Sequence, residues 1–121
     1  MRGLLDDGRF AEGRARSLLA RGRPTVAIRA ALRDHGVDAA DAARAVAALR
    51  EEAPQPDLAA ALALARRRRL GPYRPADARA SRRDKDLAVM ARAGFSREIA
   101  CRVIDAADPE ALTRSLAAEE E

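Results

Sequence analysis

An internal repeat constrains the fold of this 121-residue chain more than any other feature. The segments LRDHGVDAADAARAV and MARAGFSREIACRVI begin 58 positions apart and share one pattern. Each has an apolar residue, then a glycine four positions later, an apolar residue, a polar residue and a helical stretch. Gly36 and Gly94 suit the left-handed residue that follows a helix, while Asp38 and Ser96 suit the N-cap of the next one. The short turn predicts that the two helices cross steeply, as in helix-turn-helix units.

Apolar residues recur at helical spacing through the rest of the chain, with glycine and proline marking the breaks. The pattern predicts an all-α fold of tandem three-helix repeats. We expect one repeat at residues 6–53, a proline linker at 54–56 and a second repeat at 57–107. Residues 108–121 are expected to form a short C-terminal helix and an acidic tail. Residues 1–5 resemble another repeat junction and are expected to be the remnant of a preceding repeat.

Three local expectations follow from the helical pattern. Asp57 is expected to cap the first helix of the second repeat. Phe10 and His35 are expected on the inner stripes of their helices, with His35 packed or capping a helix end. A long helix is expected over residues 77–93, ended by Gly94.

Composition argues for thin, closely packed helices and against several functional classes. Alanine accounts for 31 residues and only three side chains are aromatic, so large aliphatic residues must supply most of the hydrophobic stabilisation. The single cysteine, Cys101, excludes an intrachain disulfide and a thiolate metal cluster. No signal peptide or 18-residue apolar stretch appears, so we expect a soluble cytoplasmic protein, monomeric and without contact to a membrane.

The adjacent carboxylates Asp6 and Asp7 are the one pair that resembles a metal or catalytic site. A metal site would need further converging ligands, and Glu12 is the only nearby acid. Helix capping explains the pair better, because a side-chain carboxylate accepts a free backbone N–H there. No phosphate-binding glycine loop, nucleophile elbow or zinc spacing is present, so we expect no enzyme activity, no metal and no cofactor.

A basic segment is the strongest functional signal. Residues 66–85 contain nine Lys or Arg against two Asp, a local net charge of +7. Four consecutive arginines sweep about 300° of a helix, so they cannot all face one partner. Arg67 and Arg68 are expected to point outward, while Arg69 lies over the core side unless the helix ends first. The predicted contact residues are Arg66, Arg67, Arg68, Arg82, Arg83 and Lys85, with Arg21, Arg29 and Arg33 as a weaker second set.

Several blocks of the sequence resemble the RecX family of bacterial regulatory proteins, which modulate the RecA recombinase. The resemblance is carried by Leu5-Asp6-Asp7 followed by Arg9-Phe10-Ala11, and by Ile28-Arg29 before Leu32 and Gly36-Val37. ARRRRLG and MARAGFSREI resemble the family's third repeat. The resemblance covers roughly residues 3–107. It implies an elongated, curved array of three-helix repeats, of which this chain resembles the second and third.

The resemblance also implies a binding function in DNA repair, homologous recombination and the SOS response. Such proteins associate with RecA filaments on DNA and restrain recombinase, ATPase and coprotease activities. The implied partners are therefore the RecA filament and, weakly and without sequence preference, the DNA phosphate backbone. Two other interpretations stay open: the basic segment as a solvated face, and a stand-alone helix-turn-helix protein that binds DNA. The recognition helix of the latter would be residues 38–49 or 96–107.

Overall fold

Seven α-helices make up most of the part of the chain that the structure describes. The computed structural model describes residues 7–120, with side chains placed through residue 117. The helices are α1 (Asp7–Ala20), α2 (Thr25–Asp34), α3 (Ala39–Glu52), α4 (Pro56–Arg68), α5 (Arg79–Ala93), α6 (Arg97–Ile104) and α7 (Pro109–Glu120). Two short 3₁₀ helices, Gly71–Tyr73 and Ala76–Ala78, lie between α4 and α5, and no strand occurs in the part described. The prediction of an all-α repeat fold is confirmed.

Helices α1 to α3 enclose a core of their own. Ile28 and Leu32 of α2 are fully buried against α1 and α3. Gly36, at φ +91°, ends α2 in the left-handed conformation that glycine adopts without steric cost. The Asp38 side chain then accepts the Asp41 N–H at 2.8 Å and caps α3. The helix-ending glycine and the N-cap that the sequence predicted are therefore both present.

Helices α4 to α6 enclose a second core in the same manner. Gly94, at φ +104°, ends α5, and the Ser96 hydroxyl accepts the Ile99 N–H at 3.2 Å to cap α6. Residues at equivalent repeat positions are buried alike, since Val37 and Phe95 each fold back over their own core. The repeat seen in the sequence is thus a repeat of packing.

Helix α4 is the central element. It packs against α1 of the first unit, α6 of its own unit and the C-terminal helix α7. Gly22, after α1, lies so close to α4 that an added Cβ would stand 2.8–2.9 Å from the Cβ, Cα and N of Leu64. Leu19 contacts both cores. The two units therefore meet along α4 with close backbone packing.

Asp57 plays a different role from the predicted one. Helix α4 begins at Pro56, two residues earlier than a cap at Asp57 would place it, with Gln55 at the N-cap and no side-chain cap. Proline suits this first position because its missing N–H would have no helical partner there. The Asp57 carboxylate instead accepts the Thr25 N–H at 2.8 Å, at the start of α2 in the other unit. The prediction that Asp57 caps its own helix was wrong, and the residue links the two units.

A buried ion pair holds the segment between α4 and α5. The Asp86 side chain is 1% exposed and accepts two bonds from the Arg74 guanidinium and one from the Gly71 N–H, each at 2.8 Å. Burial opposes ionisation of Asp86, but the Arg74 and Gly71 hydrogen bonds outweigh it and lower the pKa of the carboxyl. Helix α5 starts at Arg79, two residues later than expected, because residues 76–78 form a 3₁₀ turn.

Candidate functional site

The four consecutive arginines lie at the C-terminal end of α4, a helix that is otherwise largely buried. Helix α4 is apolar on almost every side, and its residues from Leu58 to Ala65 are buried or half-buried. Arg66, Arg67, Arg68 and Arg69 are all exposed. The exposed residues are the last three of the helix and Arg69, which follows it as the C-cap. The fold therefore concentrates four guanidinium groups at one helix end.

The local backbone fixes how these arginines are displayed. Helix α4 ends at Arg68, and Arg69 follows in the left-handed conformation at φ +56°. The Leu70 N–H then reaches back to the Ala65 carbonyl at 2.9 Å, and Leu70 is buried. The helix thus ends before Arg69 can turn over the core. Arg67 and Arg68 point outward as expected, and cations at this end also favour the helix dipole.

None of these four arginines has an acidic partner. No side-chain hydrogen bond or salt bridge joins Arg66, Arg67, Arg68 or Arg69 to another residue within 7–120. Some surface arginines elsewhere are neutralised in part, as Arg16 is by Glu52 and Arg44 by Asp41, whereas others, such as Arg29 and Arg50, have no salt bridge to a described residue. The unpaired charge is the property that a polyanion or an acidic protein surface would recognise.

The basic residues of α5 divide into two groups with different roles. Arg82 and Lys85 are exposed, and neither side chain forms an ion pair or hydrogen bond with the described residues. Arg83 instead binds Asp105 with two bonds of 2.7 and 2.8 Å, which raises the pKa of Arg83 and lowers that of Asp105. Arg79 donates to the carbonyls of Ile104, Ala106 and Ala107 at 2.6–3.2 Å, beyond the end of α6. Arg83 is thus the member of the predicted set whose charge is most nearly compensated.

The weaker basic set lies on the first unit, and its members separate in space. Arg21 immediately precedes Gly22, whose backbone touches α4 at Leu64, one turn before Arg68. Arg29 and Arg33 lie on the outward face of α2. All three arginines are exposed. The fold therefore associates Arg21 with the α4 arginines and leaves Arg29 and Arg33 on a surface of their own.

Two residues expected on inner stripes are on the surface instead. Phe10 is 50% exposed and His35 is exposed, and their rings stack with centroids 6.2 Å apart and planes 21° apart. His35 follows the last residue of α2 as its C-cap, so it lies beyond the packed stripe. The inner-stripe placement of both residues was wrong, whereas the placement of His35 at a helix end was right.

The remaining candidates for chemistry give no site among the described residues. Asp7 lies in the first turn of α1, where its charge favours the helix dipole, while Asp6 and the Gly3–Asp6 junction lie outside the residues described. Within residues 7–120, no three His, Cys, Asp or Glu side chains are grouped as a metal would require. Cys101 is a free, half-buried thiol. No helix in that range is long and apolar enough to cross a membrane.

The alternative interpretation could use either α3 or α6 for DNA recognition. The exposed face of α3 includes Ala39, Ala40, Ala43 and Ala47, and its Arg44 is bound to Asp41 on the same helix. Base edges are read by hydrogen-bonding side chains, and the first three turns of α3 offer few that are free. Helix α6 exposes Arg97, Glu98 and Arg102, of which Arg102 donates to Gln55 at 3.1 Å.

Comparisons with known proteins show which family the sequence resembles. Residues 6–46 match the family model described as RecX, second three-helix domain. The chain is also 46% identical over 104 residues to Regulatory protein RecX of Myxococcus xanthus (strain DK1622), an alignment that covers 85% of this chain and 54% of the relative. The chain thus spans about half the length of that curated relative. No solved structure matches it significantly.

The two matches agree with each other and with the fold. The family model covers α1, α2 and the first half of α3, which form most of the first three-helix unit. The relative extends the similarity across most of the chain at an identity well above chance. The chain belongs to the RecX family.

Proposed function

We propose that this chain is a RecX-type regulator that binds RecA filaments on DNA and restrains their recombinase, ATPase and coprotease activities by surface contact. The observation that carries the proposal is the unpaired cationic end of α4, formed by Arg66, Arg67, Arg68 and Arg69. A RecA filament on DNA presents phosphates and acidic protein surface, and both attract guanidinium groups. Residues 66–69 are named here the α4 arginine cluster.

The conformation of Arg69 supports a role in binding. Arg69 is the only non-glycine residue with a positive φ in residues 7–120. A side chain in this conformation costs roughly 1–2 kcal/mol, and helices usually place glycine at this position. The chain tolerates that cost in order to keep a fourth arginine at the helix end. Backbone strain of this kind is concentrated at functional sites.

Arg82 and Lys85 on α5 extend the proposed binding surface, with Arg21 beside α4 as a further member. The three side chains are exposed, and none has an acidic partner among the described residues. Arg83 contributes less because Asp105 already binds it at 2.7 Å. Direct binding to DNA through these groups would be weak, insensitive to sequence and strongly dependent on salt, since each contact with a phosphate releases a counterion.

Co-sedimentation with RecA filaments assembled on DNA tests the proposal. The double variant Arg67→Glu, Arg68→Glu should lose at least about tenfold in filament affinity, because charge–charge contacts become repulsive. A second version with Gln at both positions avoids placing acids at the negative end of the helix dipole. It should show a smaller loss in the same direction.

The matched control is Arg97→Glu, Arg114→Glu, which changes the net charge equally at exposed positions on α6 and α7. We expect its filament binding to stay within about twofold of the unmodified chain. Equal losses in both double variants would mean that bulk charge, and not the α4 arginine cluster, attracts the filament. Unchanged binding in the first variant would remove the cluster from the proposal. Sequence-specific duplex binding without RecA would favour the stand-alone DNA-binding interpretation.

A further inference from the structure

Helix α2 carries a second exposed surface whose chemistry differs from that of the α4 arginine cluster. Val26, Arg29, Ala30 and Arg33 occupy positions i, i+3, i+4 and i+7 on one face of α2, and all four are exposed. Val26 is 63% exposed, more than any other large hydrophobic residue among those described. This outward stripe alternates apolar and cationic side chains, whereas the end of α4 presents cationic side chains alone.

A shallow groove borders this stripe. One depression of about 130 Å³ lies between α2 and α3 and is lined by Thr25, Val26, Arg29, Val46 and Arg50. A second depression of about 200 Å³ shares Thr25 and Arg50 with the first and continues to the half-buried Ile99 on α6. The two depressions therefore adjoin. The α2 groove, as we name them together, runs from the first unit to the second.

The α2 groove is lined by two arginines and one carboxylate. Arg29 and Arg50 are exposed, and neither side chain has a hydrogen bond or salt bridge to a described residue. The nearest carboxylate lining the groove is Asp57, one oxygen of which is already bound by the Thr25 N–H at 2.8 Å. The two guanidinium groups are thus available to an anionic ligand, and each can bind a carboxylate through two parallel hydrogen bonds.

The apolar lining decides which anion fits. A phosphodiester backbone gains little from exposed aliphatic surface, and the chain already offers purely cationic groups at the end of α4. A peptide that carries both acidic and aliphatic side chains satisfies both parts of the groove: its carboxylates pair with the arginines and its aliphatic groups cover Val26 and Ile99. Burial of apolar surface adds roughly 25 cal/mol per Å². The mixed lining therefore favours an acidic amphipathic peptide over a nucleic acid.

We propose that the α2 groove is a docking site for an acidic amphipathic segment of a partner protein, with Arg29 and Arg50 binding its carboxylates and Val26 and Ile99 its aliphatic side chains. The site is separate from the α4 arginine cluster and requires neither RecA nor DNA for binding. Charge complementarity and the exposed Val26 carry the assignment. Recognition of this kind uses apolar anchors at helical spacing with charged groups at the rim.

Fluorescence anisotropy with synthetic probes tests the proposal on the full chain. The main probe is a fluorescein-labelled peptide in which pairs of leucines alternate with pairs of glutamates. Comparison probes of the same length are polyglutamate, a leucine–lysine peptide and single-stranded DNA. The leucine–glutamate peptide should bind, polyglutamate should bind at least about fivefold more weakly, and the leucine–lysine peptide should not bind.

Substitutions in the groove then localise the binding. Arg29→Glu, Arg50→Glu should weaken the leucine–glutamate peptide at least about tenfold, and Val26→Ser should weaken it about threefold. The matched control is Arg92→Glu, Arg114→Glu, which changes the net charge equally at exposed positions on α5 and α7 and should leave peptide binding within about twofold. These side chains are exposed, so thermal melting should be nearly unchanged; Arg29→Gln, Arg50→Gln replaces the double variant if it is not.

Four outcomes would overturn the proposal. They are no binding of the leucine–glutamate peptide, equal binding of polyglutamate, an equal loss in the control variant, and loss of DNA binding without loss of peptide binding in the groove variant. The last outcome would assign the groove to nucleic acid. Because RecA is absent from this experiment, a negative result leaves the proposed regulatory function untouched. If the regulatory function fails its own test, that failure likewise says nothing about the α2 groove, which the peptide assay tests independently.

Discussion

The two three-helix units join their first and second helices in contrasting ways. In the first unit, four residues, Arg21 to Pro24, connect α1 to α2, and Gly22 adopts φ +94° at the turn. In the second unit, ten residues connect α4 to α5, the left-handed position holds Arg69, and the segment is fastened by the Arg74–Asp86 ion pair. One connection is short and relies on backbone geometry, whereas the other is long and relies on a buried charge.

The connection in the first unit and the connection in the second unit therefore have different structural roles. The short first connection lets Gly22 touch the backbone of α4, and so it sets the distance between the two units. The long second connection begins at Arg69, and the four arginines at this end of α4 are exposed. A flexible ten-residue segment would cost more conformational entropy, which Asp86 offsets by holding Arg74 and the Gly71 N–H. The ion pair thus supports the surface that we propose for binding.

The largest expected effect is on the second connection. Replacing the buried carboxylate by Asp86→Ala leaves the Arg74 guanidinium and the Gly71 N–H without their partner, and breaking a buried pair in this way costs about 3–5 kcal/mol. We expect a loss of that size in the free energy of unfolding, measured by urea denaturation. The control is Asp105→Ala, which removes an exposed ion pair and should cost less than about 1 kcal/mol. Similar losses in the two variants would show that the buried pair does not hold this unit.

The next effect breaks the first connection. Gly22→Ala introduces a Cβ 2.8–2.9 Å from Leu64 atoms and also forces alanine into a left-handed conformation, so we expect a loss of about 2–4 kcal/mol. Gly36→Ala is the matched control, because Gly36 has a similar φ of +91° but no atom within 4 Å of the added Cβ. It should lose only the conformational cost of about 1–2 kcal/mol. Equal losses would mean that the close contact between the units has no energetic weight.

The stability that Asp86 gives to the second connection should depend on pH. The folded pKa of Asp86 lies below its ordinary value of about 3.9, so its ionised form is stabilised by folding. That stability is fully present above about pH 4 and is lost as the pH falls through the lower folded pKa. Urea denaturation at several acidic pH values should show a loss of up to about 1.4 kcal/mol per pH unit from this group. The Asp86→Asn variant should lack that part of the slope, and an unchanged slope would assign the acid sensitivity to other carboxylates.

The spacing of apolar residues and the residues that begin and end helices were enough to predict the repeat architecture. Glycine at the end of a helix and Asp or Ser at the start of the next are local signals, and Gly36, Asp38, Gly94 and Ser96 act as the sequence indicates. The outward orientation of Arg67 and Arg68 followed equally well, because helical spacing alone determines it.

Interactions between distant residues were beyond the reach of such signals. Asp57 and Thr25 are 32 positions apart, and no local pattern shows that the carboxylate caps a helix of the other unit. In the sequence, Asp86 is one acid among many charged residues of α5, so its buried ion pair is not evident. Its position next to Leu87 and four residues before Met90, both buried, does indicate that it faces the core. Helical spacing predicts Phe10 on the inner stripe of α1, but the buried residues of that helix are Ala11, Ala15 and Leu18, and Phe10 lies on the exposed side.

The smallest effect separates stability from binding at the end of α4. Arg69→Gly relieves the left-handed strain, so the chain should gain about 0.5–1 kcal/mol in unfolding free energy even though glycine increases the entropy of the unfolded state. Arg68→Gly, one residue earlier and still helical, should lose about 0.5–1 kcal/mol, because glycine weakens a helix. Both variants remove one charge from the α4 arginine cluster, so both should weaken binding to single-stranded DNA. A stabilised Arg69→Gly variant with weaker binding would show that the chain keeps arginine there for contact at a cost in stability. A variant that is stabilised and binds unchanged would reduce the cluster to its three helical arginines.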